Sequence, residues 1–189
     1  MSPRATTVDR AAAVRAALRR LVAEHGLHGT SMAAVAAGAG VATGTAYVHY
    51  ASKEELLLAA YLELKAELGE AAVVGLDPSA PPADRFRALW RGIHGFLATD
   101  SARARFLLQV DSSPLAAEAH ERVLAAGDDP ILAQAMTPDL AALLAPLPLP
   151  VLWDLGFGPA IRIAAGVETL TDDQLALVAT ACWRSITTT

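Results

Sequence analysis

The sequence predicts an all-α protein of about nine helices, with a smaller N-terminal helical domain over residues 1–52 and a larger one over 53–189. Three observations carry that prediction. Apolar residues return at helical spacing through most of the chain, as in Val14, Leu18, Leu21 and Val22. Ser52 with Glu55 and Thr171 with Gln174 stand at the spacing of a capping box, which marks a helix start. Glycine and proline runs, GLDPSAPP from Gly75 and APLPLP from Ala145, fall between the periodic segments rather than inside them.

Residues 1–7 read as a polar arm from which Arg4 can reach a phosphate or the minor groove. A helix follows from Val8 to His25 and Gly26 closes it; His25 and His28, with no third ligand nearby, read as surface or cap residues. Thr30 is placed to cap a short helix whose Met32, Val35, Ala36 and Ala39 fall on one side. Gly40 then stops it, because glycine adopts the left-handed conformation of a helix end without steric cost, and Val41 can fold back on the helix just finished. A second helix from Thr43 to Tyr50 is too short to persist alone and must be held by packing. Two such helices around a glycine turn make a helix-turn-helix, which presents its second helix to the major groove. An ordinary helical hairpin is the alternative. Against it stand the small residues Ala36, Ala39 and Gly40, which permit close crossing, and an outward set of Thr43, Thr45, Tyr47 and His49. Hydroxyls and imidazole suit phosphates and base edges, whereas a merely solvated face would carry Glu and Lys. The next helix begins at Lys53 with its N-terminus beside the presumed DNA backbone.

From about Val8 to Leu57 the chain resembles the DNA-binding domain of the TetR family of bacterial transcriptional repressors. The match rests on Gly26, Thr30, Val35-Ala36, Ala39-Gly40-Val41, Gly44-Thr45, Tyr47, Tyr50 and Ser52-Lys53-Glu54-Glu55-Leu56 at that family's spacing. The resemblance implies that Thr43, Gly44, Thr45, Tyr47, Val48 and His49 face DNA, with Lys53 on a phosphate. Within that set Thr43 and Val48 are better placed to meet base edges, Val48 by contact with a thymine methyl. Three positions depart from the pattern: Ala42 where a capping Ser is common, Ala46 where a larger Leu is usual, and Ala33 where a polar or basic side chain often sits.

Hydrophobic residues make up 53% of the 189, ample for a core, and the single Cys182 excludes an internal disulfide and a multi-cysteine zinc site. No apolar run reaches membrane-spanning length and the first ten residues are too polar for a signal peptide, so a cytoplasmic protein with no membrane partner is expected. The net charge of −5 is unevenly spread. Residues 1–53 hold six basic and two acidic side chains, a net +4, against nine and eighteen in the remainder, a net −9. A basic front on an acidic body would bind DNA in one orientation.

Lys53 to about Val74 reads as one long helix, a lever from the DNA end into the body. Ala83 to Ala98 carries Phe86, Leu89, Trp90, Ile93 and Leu97 on one face, interrupted by Gly92, His94 and Gly95. Mid-helix glycines suggest that space is wanted beside them, either for a ligand or for a close helix crossing. Further helices are expected at Arg103–Asp111, from Ser113-Pro114 to Ala126, and over residues 131–145 with a break at Thr137-Pro138. Val151 to Gly166 is apolar on most sides, and the final helix after Thr171 carries Leu175, Val178, Ala179, Cys182 and Ile186 in a stripe. That is more apolar surface than one partner helix covers. The pair therefore reads as a two-fold four-helix interface involving Phe157, Ile161, Leu175, Val178, Cys182 and Ile186, or else simply as core. FGPAIRIAAG and the helix after it are also similar, more weakly, to the dimerisation helices of many TetR-type regulators.

The resemblance implies a homodimeric regulator of double-stranded operator DNA, released by a small-molecule effector bound in the C-terminal ligand-binding and dimerisation domain. Phe86, Trp90, His94, Phe106 and Trp153 are the candidate lining residues, with core packing as the alternative; few charges nearby favour a largely apolar ligand. A second reading keeps DNA binding and makes the body only a dimerisation or protein-interaction module. An enzyme is not expected: the sequence has no nucleophile elbow, phosphate loop, metal-spaced histidine pair or nucleotide signature, and no cofactor is called for.

Overall fold

The computed structural model describes residues 3–188, with side chains described from Arg10 onward. Among the described residues the architecture is all helical, in twelve segments, several of them only one or two turns long. The chain divides into two compact units, Met1–Leu64 with Arg105–Ala125, and Lys65–Ala104 with Ala126–Thr189.

In the first unit α1 (Pro3–His25), α2 (Met32–Gly38) and α3 (Thr43–His49) pack on one another. α1 begins at Pro3 rather than Val8, and proline, lacking an N–H, is tolerated in a first helical turn. The role expected for Arg4 falls outside the described side chains. Val14, Leu18 and Val22 of α1 are buried with Met32, Val35 and Ala36 of α2, as their spacing requires, while Leu21 stays half-buried. α4 (Lys53–Ala72) contributes Leu56, Leu57, Ala60, Tyr61 and Leu64 to the same core before its last residues pass into the second unit. Most of α6 (Ser101–Asp111) and α7 (Ala116–Ala126) also belong to the first unit. They are tied in by polar contacts: the Tyr61 hydroxyl donates to Asp111 at 2.9 Å, and the same carboxylate oxygen lies 3.0 Å from His120 Nε2.

The second unit is built on α5 (Pro82–Ala98), which packs against α11 (Gly158–Ala164) and α12 (Asp172–Ile186), with α10 (Leu149–Gly156) on α12. The short α8 (Pro130–Ala135) and α9 (Pro138–Ala141) are separated at Thr137, as Thr137-Pro138 suggests. Asp129 caps α8, accepting from the backbone N–H groups of Ile131 and Leu132. The stretch expected as one helix from Val151 to Gly166 is two, broken at Phe157, where Gly158-Pro159 follows and a proline cannot supply the N–H a continuing helix needs. Thr171 and Gln174 make both bonds of their capping box.

Candidate nucleic-acid interface

The turn between α2 and α3 follows from Gly40. Its φ of 68° is left-handed, and its N–H bonds to Ala37 while that of Val41 bonds back to Ala36, the paired closure of a Schellman stop. At the other end of α2 the cap is Ser31, whose hydroxyl accepts from the Ala34 N–H at 3.2 Å. Thr30, expected in that role, is buried instead and donates to the Gly26 carbonyl at 2.9 Å. The exchange is a shift of one residue between two hydroxyls that the sequence alone could not order.

α3 starts at Ala42 with no side-chain cap, as the missing hydroxyl there implies. Ala46 (0% exposed) and Tyr50 (7%), four residues apart, are its inward face. Tyr50 is held by its hydroxyl, which accepts from Arg15 Nη1 at 2.6 Å. Arg15 also pairs with Glu63 at 2.5 Å, and Arg19 reaches the other oxygen of the same carboxylate at 3.3 Å. Two of the arginines behind the basic N-terminal count are thus occupied inside the unit, by an acid that lies beyond residue 53 in the chain. The four-residue spacing of Arg15 and Arg19 is the signal that one carboxylate could serve both.

On the outward side Tyr47 is 52% and Val48 82% exposed, Thr43 and Gly44 are exposed, and Thr45 and His49 are half-buried. The expected DNA-facing set thus lies together along one short helix, with Tyr47 and Val48 at its most solvent-exposed point. Lys53 stands apart from it: its ammonium donates to the carbonyls of Leu27 at 3.0 Å and Thr30 at 3.2 Å, fastening the α1–α2 connection to the start of α4. An ammonium has three donors, and these two carbonyls take two of them. The Ser52 hydroxyl accepts from Glu55 N–H at 3.1 Å and the Glu55 carboxylate from Ala51 N–H at 2.7 Å, which starts α4 beside α3.

The expected ligand-lining residues divide. Phe106 is buried in the first unit. Phe86 and Trp90 are buried in the second, Phe86 stacked on Phe157 at 5.0 Å and tilted against Trp183 at 5.4 Å. His94 is half-buried, its ring stacked on Trp90 at 5.8 Å, and burial pulls its pKa below the ordinary value. Trp153 is half-buried, with Lys65 Nζ 4.0 Å above its ring. Lys65 was not singled out by sequence, because a cation over an aromatic face leaves no periodic trace. The two glycines of α5 also differ: a Cβ on Gly92 would lie 2.6 Å from the Ala72 carbonyl oxygen, so that glycine serves a close crossing with α4, whereas one on Gly95 would meet nothing within 4 Å.

Of the expected dimer residues, Phe157, Ile161, Cys182 and Ile186 are buried within the chain itself, because α5 already covers that side of α11 and α12. Leu175 and Val178 are half-buried, and Leu177 between them is 70% exposed. Arg85, also missed, is buried and donates to Asp139 and to the Thr137 hydroxyl, tying α5 to α9 and holding the Asp139 carboxyl below its ordinary pKa.

An all-α chain whose three-helix front presents a short exposed helix behind a glycine turn has the architecture of a helix-turn-helix transcription regulator. Residues 14–60 match the family described as bacterial regulatory proteins, tetR family, and residues 81–187 match the tetracyclin repressor-like C-terminal domain. The second match spans more than half of the chain, and the protein belongs to the TetR family of bacterial transcriptional regulators. It is 28% identical to a helix-turn-helix-type transcriptional regulator of Haemophilus influenzae, over 97% of this chain and 98% of that protein. The crystal structure of a TetR-family regulator from Haemophilus influenzae superposes with a TM-score of 0.76 at 28% identity, covering 96% of this chain and 98% of the other. A TetR-family protein from Shewanella shares the fold, with a TM-score of 0.77 at 22% identity over 95% and 99% of the two chains. The protein is therefore a transcription regulator and not an enzyme. Among the described residues, no helix is long and apolar enough to cross a membrane.

Proposed function

We propose that this protein is a cytoplasmic repressor that binds a pseudo-palindromic operator as a homodimer and is released by a small, largely apolar ligand. The observation that carries the DNA half of this reading is the division of α3, with Ala46 and Tyr50 inward and Thr43, Gly44, Tyr47 and Val48 outward. In this reading Thr45 and His49 flank the contact and Lys53 gives its third donor to a phosphate. Residues 1–52 act as the DNA-binding domain and 53–189 as the effector and dimerisation domain. Two copies of α3 would meet successive major grooves about 34–36 Å apart. The dimer face would use Leu175, Val178 and the exposed Leu177 of α12 with Val151 and Leu155 of α10, rather than the four residues already in the core.

A mobility-shift assay on the DNA upstream of the protein's own gene tests the reading. Tyr47→Ala is expected to abolish the shift, and Lys53→Met to weaken it equally on all sequences while reducing the salt slope by about 0.9. Equal binding by the wild type and both variants would refute the site. Sedimentation at binding concentrations is expected to give a dimer, and Leu177→Lys a monomer.

In the ligand half of this reading His94 and Trp153 meet the effector, because Phe86 and Trp90 are fully packed. That packing favours a second reading in which the body only dimerises. The two separate in a thermal-shift screen of apolar metabolites: stabilisation lost on His94→Ala or Trp153→Ala supports a ligand site in this body.

A further inference from the structure

Between Glu24 and Lys53 the chain carries no Asp, Glu, Asn, Gln, Lys or Arg. Those are the side chains that read base edges by paired or charged hydrogen bonds: Arg and Lys on guanine, Asn and Gln on adenine, Asp and Glu on cytosine. What α2 and α3 expose instead is Ala33, Ala34 and Ala37 from the first helix, and Thr43, Tyr47 and Val48 from the second. A threonine or tyrosine hydroxyl both donates and accepts, so it satisfies almost any base edge and distinguishes few. Val48 is different in kind. It is 82% exposed, has no polar atom, and gains from burial only against apolar surface. The apolar group that a base pair offers in the major groove is the C5-methyl of thymine.

We propose that this regulator identifies its half-site by a pyrimidine C5-methyl seated against Val48, and not by bidentate hydrogen bonds to bases. The proposal rests on the reading that α3 enters the major groove, and deepens it by naming what the groove must carry. The methyl belongs to thymine in unmodified DNA and to 5-methylcytosine in methylated DNA; the chemistry is shared, and the probes separate the sources.

The test uses the full-length protein and duplexes enriched by it from a randomised pool, with each thymine replaced in turn by deoxyuridine and binding followed by fluorescence anisotropy. One thymine per half-site is expected to lose about fourfold in affinity on demethylation, the worth of one buried methyl, and both half-sites together about fifteenfold. At that position a 5-methylcytosine pair should bind more tightly than a cytosine pair if the methyl alone is read; if it does not, the reader is specific to thymine, and the deoxyuridine loss still stands as support. Val48→Ala, at a site too exposed to disturb folding, should shrink the deoxyuridine penalty well below that of the wild type, because its single methyl covers less of the C5-methyl. Wild-type binding unaffected by deoxyuridine anywhere, or a full deoxyuridine penalty retained by Val48→Ala, overturns the methyl reading while leaving DNA binding intact. Failure to enrich any duplex overturns both.

Discussion

α3 and α5 each carry an aromatic residue and a histidine at close spacing, Tyr47 with His49 and Trp90 with His94, yet the structure treats them oppositely. Tyr47 is half exposed, whereas Trp90 is sealed in the second unit beneath its own histidine. The difference lies in the neighbours. Trp90 belongs to a complete stripe with Phe86, Leu89, Ile93 and Leu97, every member of which is buried. Tyr47 has beside it only Ala46 and Tyr50 as inward residues, and once those two are seated nothing remains to cover it. An aromatic side chain is therefore core or surface according to what stands three and four residues away, not according to its own hydrophobicity.

Truncation should expose that contrast most strongly. Trp90→Ala is expected to cost about 3–5 kcal/mol in denaturant unfolding, while Tyr47→Ala stays within about 0.5 kcal/mol of wild type; similar losses at both would end the comparison. Within α5 the two glycines should respond with opposite sign. Gly92→Ala drives a methyl into the Ala72 backbone and is expected to cost about 2 kcal/mol, whereas Gly95→Ala, facing open space, should gain about 0.5–1 kcal/mol. For α3 the sharper question is how firmly it is held. Ala42→Ser supplies the missing cap and should add about 1 kcal/mol, read as a raised melting temperature. The smallest effect is that of pH. Burial lowers the His94 pKa, so the unfolded chain takes up that proton first, and stability should fall as pH drops through 6.5. His94→Phe, which keeps the stacking, is expected to flatten that part of the profile in thermal melts.

The local devices were legible in advance. Gly40 stops α2 because glycine adopts its backbone angle without strain, and Ser52 and Thr171 cap because a hydroxyl three residues before Glu or Gln has donors within reach. The bare start of α3 at Ala42 was equally readable. Less could be read where two neighbours compete for one role or where the partner is distant. Thr30 and Ser31 both qualify as a cap, and only the packing of Thr30 against Gly26 decides between them. Arg15 and Arg19 count as basic charge in the sequence, but Glu63, some 48 residues beyond Arg15 in the chain, takes up both. The apolar stripe of α12 was visible, whereas which part of it α5 would already have covered was not.

By itself, then, the sequence determined that the chain is helical, which residues stop α2 and cap α4 and α12, and that a glycine turn joins two short helices. Those properties depend on backbone preference and on residues within about four positions of each other. The tertiary structure alone decided which apolar faces are used up inside the chain, which cations are already paired, and which aromatic rings are left for another molecule. Such outcomes depend on residues that are distant along the chain and adjacent only once folding has brought them together.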